Sequence, residues 1–279
     1  MKKIIVAVNG LKTDMNTLDF ACYLGRVTRS KITGIFLENL VAEYRPMVKK
    51  DYDSTYVDWE IDETSPQHLE KMKLIEKNIA LFTEACTKRE VSSEVCRDAG
   101  VPATEMIAES RFADLMVINA ETSFNKRYEG CPTSFVKAVL REAECPVIIT
   151  PESFESIDEI IFCYDGSPSS IFAIKQFDYL LPELRNRQTV LLEVNKGNET
   201  AGADREKLKK WLVQHNANIR FETLNGEAKD ELFSYLLPKK NAFIVMGAFG
   251  RGLVSTLFRK STAERIIKTT SLPVFITHH

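Results

Sequence analysis

The sequence predicts an α/β protein built from two tandem doubly wound domains, each a five-stranded parallel sheet with helices on both faces. Three observations carry that expectation. The chain repeats itself: Ser134-Phe135-Val136 to Pro146-Val147-Ile148-Ile149-Thr150 is matched by Ser261-Thr262-Ala263 to Pro273-Val274-Phe275-Ile276-Thr277, with the same spacing from serine to proline. Short apolar runs bounded by turn residues alternate with stretches of helical period, the pattern of a parallel sheet covered on both sides. The length, 279 residues, suits two domains at about 100–200 residues each.

The elements follow in order. Lys3-Ile4-Ile5-Val6-Ala7-Val8-Asn9-Gly10 reads as a first strand, and Glu159-Ile160-Ile161-Phe162-Cys163-Tyr164-Asp165-Gly166 is its counterpart in the second copy. Lys31–Phe36 parallels Gln188–Val194, and Ala113–Ala120 parallels Asn241–Ala248. In the second copy, strand 160–164 leads to a helix over 168–181. Ser167 suits its cap, Pro168 its first turn, and Ile171, Ile174, Phe177 or Asp178 and Leu181 its buried face. Strand 189–194, helix 204–216, strand 218–223, helix 228–237, strand 242–246, helix 262–270 and strand 273–277 follow. The seam lies near 150–157, dividing the chain into 1–150 and 151–279. The copies differ in one place. Between Leu37 and Val91 stand 53 residues, against 24 between Val194 and Ile219. This 38–90 insert is read as a solvated excursion with a few aromatic anchors (Tyr52, Tyr56, Trp59) rather than a partner-docking loop. After its acidic stretch, Asp51 to Glu63, comes an amphipathic helix over 66–88 whose stripe, Leu69, Met72, Ile75, Ile79, Phe82 and Cys86, belongs to the core.

Composition excludes several classes. Hydrophobic residues make up 44% and charged residues 27%, which excludes a disordered or collagen-like chain. Net charge is −2 and the isoelectric point is about 6.2, so no basic field exists for nucleic acid or an anionic membrane. Apolar runs stop far short of the roughly 20 residues of a membrane span. The six cysteines never form Cys-x-x-Cys, so a reduced, cytoplasmic protein with no zinc site is expected.

Ligands of open α/β sheets sit beyond the carboxyl ends of the strands, where strand order reverses. Three segments of the second copy converge there: Tyr164-Asp165-Gly166-Ser167, Val194-Asn195, and Met246-Gly247 running on through Gly250 and Arg251. Glycines after a strand let backbone N–H groups approach phosphate oxygens. Ser261-Thr262-Ala263-Glu264 has the form of a capping box at a helix start, where free N–H groups hold anions. Arg251, Arg259 and Lys260 supply positive charge.

At these residues the chain resembles the universal stress protein family in its tandem two-domain form, and the resemblance covers essentially the whole sequence. The glycine pattern of its ATP-binding members, Gly-x2-Gly-x9-Gly-(Ser/Thr), stands here as Gly247-x2-Gly250-x9-Lys260-Ser261. The resemblance implies the adenine nucleotide α-hydrolase-like fold and ATP in the second domain, with AMP or ADP, and Mg, as variants. Asp165 would hydrogen-bond the adenine, with Tyr164, Gly166 and Met246 around it and Val194 beside the base or ribose. Gly247 and Gly250 would admit the ribose and phosphates, and Ser261 and Thr262 would hold phosphate. Lys260 departs from the family's glycine; it either obstructs the phosphates or pairs with them. The first domain has Asn9 for the aspartate, lacks both glycines after Ile118 and carries Glu121 there, so no ATP is expected in it.

No nucleophile–base arrangement is recognisable, and the P-loop pattern is absent. His68 and His215 fall within predicted helices, and His278 and His279 end the chain. The expected function is therefore that of a cytoplasmic stress-response protein that senses or regulates through adenine nucleotide, with at most weak ATP hydrolysis. A slow ATPase or nucleotide-dependent enzyme is one alternative, and a scaffold or binder of another small ligand is a second. The family pairs domains through their last strands, here near Val147–Ile149 and Val274–Ile276. This implies an internal pseudo-dimer, with a homodimer as an addition.

Overall fold

The structure is a computed structural model that describes residues 3–39, 45–51, 54–125, 127–195, 203–247, 265–268 and 270–277. In the first half the elements are β1 (Lys3–Asn9), α1 (Met15–Thr28), β2 (Lys31–Asn39), β3 (Arg45–Asp51), β4 (Ser54–Glu60), α2 (Pro66–Lys88), β5 (Ser93–Gly100), α3 (Pro102–Ser110), β6 (Leu115–Ile118), α4 (Ser134–Glu142) and β7 (Val147–Ile149). In the second half they are β8 (Glu159–Tyr164), α5 (Pro168–Leu180), a 3-10 turn at Pro182–Leu184, β9 (Gln188–Asn195), α6 (Ala203–His215), β10 (Ile219–Asn225), α7 (Ala228–Leu236), β11 (Ala242–Gly247) and β12 (Val274–Thr277). Residues 265–268 are also helical.

Ten strands form one sheet in the order β10-β9-β8-β11-β12-β7-β6-β1-β2-β5. Within each half of this sheet every pairing is parallel, and the two last strands meet antiparallel, with Val274 opposite Ile149, Phe275 opposite Ile148 and Ile276 opposite Val147. The pseudo-dimer implied by the repeat is thus closed inside one chain, and each last strand covers an edge the other would leave open. The antiparallel junction also reverses strand direction. The carboxyl ends of β1 and β6 point to one side of the sheet, and those of β8 and β11 to the other.

Alternation along each strand divides the core into two layers. Ile5, Ala7, Ile161 and Ile244 face α3, α4, α7 and residues 266–267 through Met106, Val136, Val139, Leu232, Leu236, Ile266 and Ile267. Ile4, Val6, Ile160, Phe162, Phe243 and Phe275 face α1, α2, α5 and α6 through Phe20, Leu24, Phe82, Ile174, Phe177 and Leu212. Both layers run through the junction. Phe20 of α1 packs edge-on against Phe243 of β11 with ring centroids 6.0 Å apart, so the first half's helix touches the second half's sheet.

Helix starts follow from sequence. The Ser167 hydroxyl accepts the Ser170 N–H at 3.1 Å, and Pro168 occupies the first turn of α5. One reading gains detail and one is corrected. Within the 38–90 insert, β3 and β4 form an antiparallel hairpin set apart from the main sheet; Val48 and Val57, directly opposite each other, are both well exposed. The side chains of Tyr52, Tyr56 and Trp59, read as anchors, lie outside the described residues. Leu69, placed in the core stripe of α2, is 51% exposed. The buried positions of that helix are Ile75, Asn78, Phe82, Ala85 and Cys86. Its first two turns run past the end of the sheet, along a cavity.

Candidate functional site

The second half has its reversal of strand order between β8 and β11, since β8 is flanked by β9 on one side and β11 on the other. Tyr164 ends β8, Val194 and Met246 stand one residue before the ends of β9 and β11, and all three side chains are buried. Their contribution to a ligand would therefore come from the backbone. Burial, with Glu193 nearby, raises the Tyr164 phenol above its ordinary range, so it stays protonated at neutral pH.

Beyond Tyr164 the chain turns sharply. The Asp165 carboxylate accepts the Ser167 N–H at 3.0 Å, the short loop that this residue type makes with its own backbone. Gly166 has φ of 79°, in the left-handed region, and a Cβ added there would meet nothing within 4 Å. Among the described residues, nothing therefore crowds the turn that presents Asp165. Gly247 is different: a Cβ there would stand 2.6 Å from the Ser169 carbonyl carbon and 2.7 Å from the Ser170 nitrogen. The absent side chain is what lets the first turn of α5 close onto β11. The structure thus brings Tyr164, Asp165, Gly166, Val194, Met246 and Gly247 to one edge of the sheet. Gly250, Arg251, Arg259, Lys260, Ser261 and Thr262 lie outside the described residues. Among the described residues, no group of three or more His, Cys, Asp or Glu side chains is placed to hold a metal ion, and no helix is long and apolar enough to cross a membrane.

The first half is built differently at the same place. Asn9 stands where the second half has Asp165, and its amide is used locally: Nδ2 donates to the Ser123 carbonyl at 2.8 Å, and Oδ1 accepts the Leu11 N–H at 2.9 Å. Asn119 stands where the second half has Gly247. Its amide donates to the carboxylate of Asp14, the cap of α1, at 2.5 Å. Above these ends is a cavity of about 350 Å³, lined by Leu11, Leu37, Glu38, Ile61, Lys71 and Phe124 among others. One wall comes from the end of the insert and the start of α2.

Glu38, which the sequence did not single out, is buried in the facing wall at the end of β2. Lys71 pairs with it at 3.0 Å and Arg97 at 2.9 Å. Burial alone pushes the carboxyl up, but hydrogen bonds from Arg97 and Lys71 outweigh it and hold Glu38 below the usual carboxylate range. A carboxyl lowered by folding contributes stability above its unfolded pKa of about 4.3, and this is lost as pH falls through the lower folded value. Melting temperatures taken from pH 6 down to about pH 3 are therefore expected to fall less steeply for Glu38→Gln than for the wild type. Parallel curves would remove Glu38 from the acid response.

No family model matches the chain. A curated relative, the universal stress protein Slr1230 of Synechocystis sp., is 21% identical over 290 residues, covering 98% of this chain and 99% of the relative. Among solved structures, a universal stress protein from Archaeoglobus fulgidus DSM 4304 superposes with a TM-score of 0.69 at 18% identity, over 99% of this chain and 98% of that one. The functionally unknown protein PA1789 from Pseudomonas aeruginosa PAO1 superposes with a TM-score of 0.60 at 13% identity, over 99% and 92%. Two five-stranded α/β halves joined through their last strands, and a sequence likeness that runs end to end, identify the chain as similar to the universal stress proteins in their tandem two-domain form.

Proposed function

We propose that this protein binds adenine nucleotide, ATP, at the carboxyl edge of its second half, residues 151–279, and acts as a sensor or regulator in a cytoplasmic stress response. The observation that carries the reading is the meeting of three strand ends at the reversal of strand order, with the Asp165-Gly166 turn open above them. The run Gly247-x2-Gly250-x9-Lys260-Ser261 supports it from the sequence. Asp165 would accept hydrogen bonds from the adenine edge. The Gly166 backbone allows close approach of the ring, and the helix start that the sequence predicts at Ser261-Thr262 would supply N–H groups to phosphate. Among the described residues, nothing near Asp165 resembles a base positioned for a nucleophile, which favours binding over turnover.

Asp165→Ala tests the assignment. ATP affinity measured by calorimetry is expected to drop about ten-fold or more, the loss of one strong hydrogen bond to a charged acceptor. The far-ultraviolet circular dichroism should be retained. An unchanged dissociation constant would remove Asp165 from the site.

A further inference from the structure

The start of α4 in the first half corresponds in sequence to Ser261 in the second half, and a helix start is where an anion is best held. In the first half a carboxylate of the chain is already there. Glu129 accepts a hydrogen bond from the Ser134 hydroxyl at 2.5 Å and from the Ser123 hydroxyl at 2.6 Å. The Ser134 backbone N–H also favours its charged form. Ser123, then Ser134, hold the carboxyl below its ordinary range, so Glu129 is ionised at neutral pH. A further donor of this turn is taken as well: the Val136 N–H is capped by the Thr133 hydroxyl at 3.3 Å.

The same segment walls the cavity. Ser123, Phe124 and Asn125 line it. Phe124 is fixed by edge-on packing against Phe135 of α4 with ring centroids 4.8 Å apart, and Asn125 donates to the Ser134 hydroxyl at 3.5 Å. Cavity and helix start are therefore neighbours joined by one short loop, as base and phosphate places would be. The cavity volume, about 350 Å³, is that of a small-molecule pocket. Its lining offers apolar faces from Leu11, Leu37 and Phe124 and amide groups from Asn39 and Asn125.

We propose that Glu129 is a built-in anion that takes the phosphate place of the first half and confines the adjoining cavity to small hydrogen-bonding ligands without a phosphate, of nucleoside size. A phosphorylated ligand entering the cavity would bring a second negative charge against Glu129 while finding the Ser134 and Val136 donors at the α4 start already occupied. This assignment stands apart from nucleotide binding by the second half, because its readouts lie in the first.

Amide NMR spectra of the full chain, titrated separately with adenosine and with ATP, test it. In the wild type, adenosine is expected to move the amides of Asn39, Ser65 and Phe124, and ATP to do so about ten-fold or more weakly, because of repulsion between like charges. In Glu129→Gln, which keeps shape and removes charge, ATP should move these amides and that of Ser134 about ten-fold more strongly than in the wild type. The proposal is overturned if adenosine moves none of them. It is equally overturned if ATP matches adenosine in the wild type, or if folded Glu129→Gln excludes ATP as before. The wild-type comparison decides the matter even where the variant fails to fold.

Discussion

Replacing Phe275 with alanine is expected to lower stability by about 3–5 kcal/mol, the range for truncating a buried phenylalanine. Phe275 is fully buried at the middle of the ten-stranded sheet. It lies opposite Ile148 of β7 across the antiparallel junction, and its ring packs perpendicular to that of Phe177 at 5.3 Å. β12 holds β11 on one side and β7 on the other, so the cavity left by the variant weakens both halves at once. Urea unfolding followed by circular dichroism and by tryptophan fluorescence should give one coincident transition in the wild type, since both core layers cross the junction. The transition should move to lower urea in Phe275→Ala. Loss of only the second half, with the first half unfolding at its wild-type midpoint, would contradict a shared core.

Gly247→Ala is expected to cost about 1–3 kcal/mol, the usual range for forcing an extra methyl into a packed place. The sign is informative. Where backbone and space permit, exchanging glycine for alanine stabilises by about 0.4–1 kcal/mol through the unfolded chain. Here the new methyl would meet backbone atoms, Ser169 C at 2.6 Å, Ser170 N at 2.7 Å and Ser169 O at 2.8 Å, and backbone cannot rotate aside as a side chain does. The first turn of α5 must therefore move outward, carrying Ser167 and the Asp165 turn with it. ATP binding should weaken together with stability. A neutral or stabilising outcome in urea unfolding would show that α5 has room to give, and Gly247 would then be free of its packing role.

Gly247 also shows how far the sequence could be read. Its place after a strand, three residues before Gly250, marked it as a backbone position with a special demand, and the structure supplies a demand at this position: a helix start pressed on the strand end. The same holds for Ser167 and Pro168, whose local chemistry fixes a helix start without reference to the rest of the chain. The repeat carried the architecture, because two segments of equal spacing ending in Pro-Val-x-Ile-Thr imply equal strands, and these are the two that pair.

What was not legible depends on distance along the chain. Glu38 meets Lys71 and Arg97, which are 33 and 59 residues away, and no periodicity links them. Glu129 sits in a stretch without helical or strand period, so nothing local announced that it would turn back onto Ser134. Glu121 was the acid expected near a phosphate place; the carboxylate held at the start of α4 is that of Glu129. The hairpin of the insert was missed because 45–60 mixes charged and aromatic residues without a clean two-residue alternation, and a two-stranded ribbon has little buried surface to demand one. Leu69 misled for the opposite reason. Its spacing continues the stripe of α2, but the sheet against which that stripe packs ends before it.

The most direct measurement of the central reading is photolabelling of the full chain with 8-azido-ATP, followed by peptide mapping. The label is expected to saturate, to be displaced by ATP, and to fall in the second half on peptides containing Tyr164 to Ser167 or Val194. Absence of saturable labelling, or labelling confined to residues 1–150, would contradict a nucleotide site at the carboxyl edge of the second half.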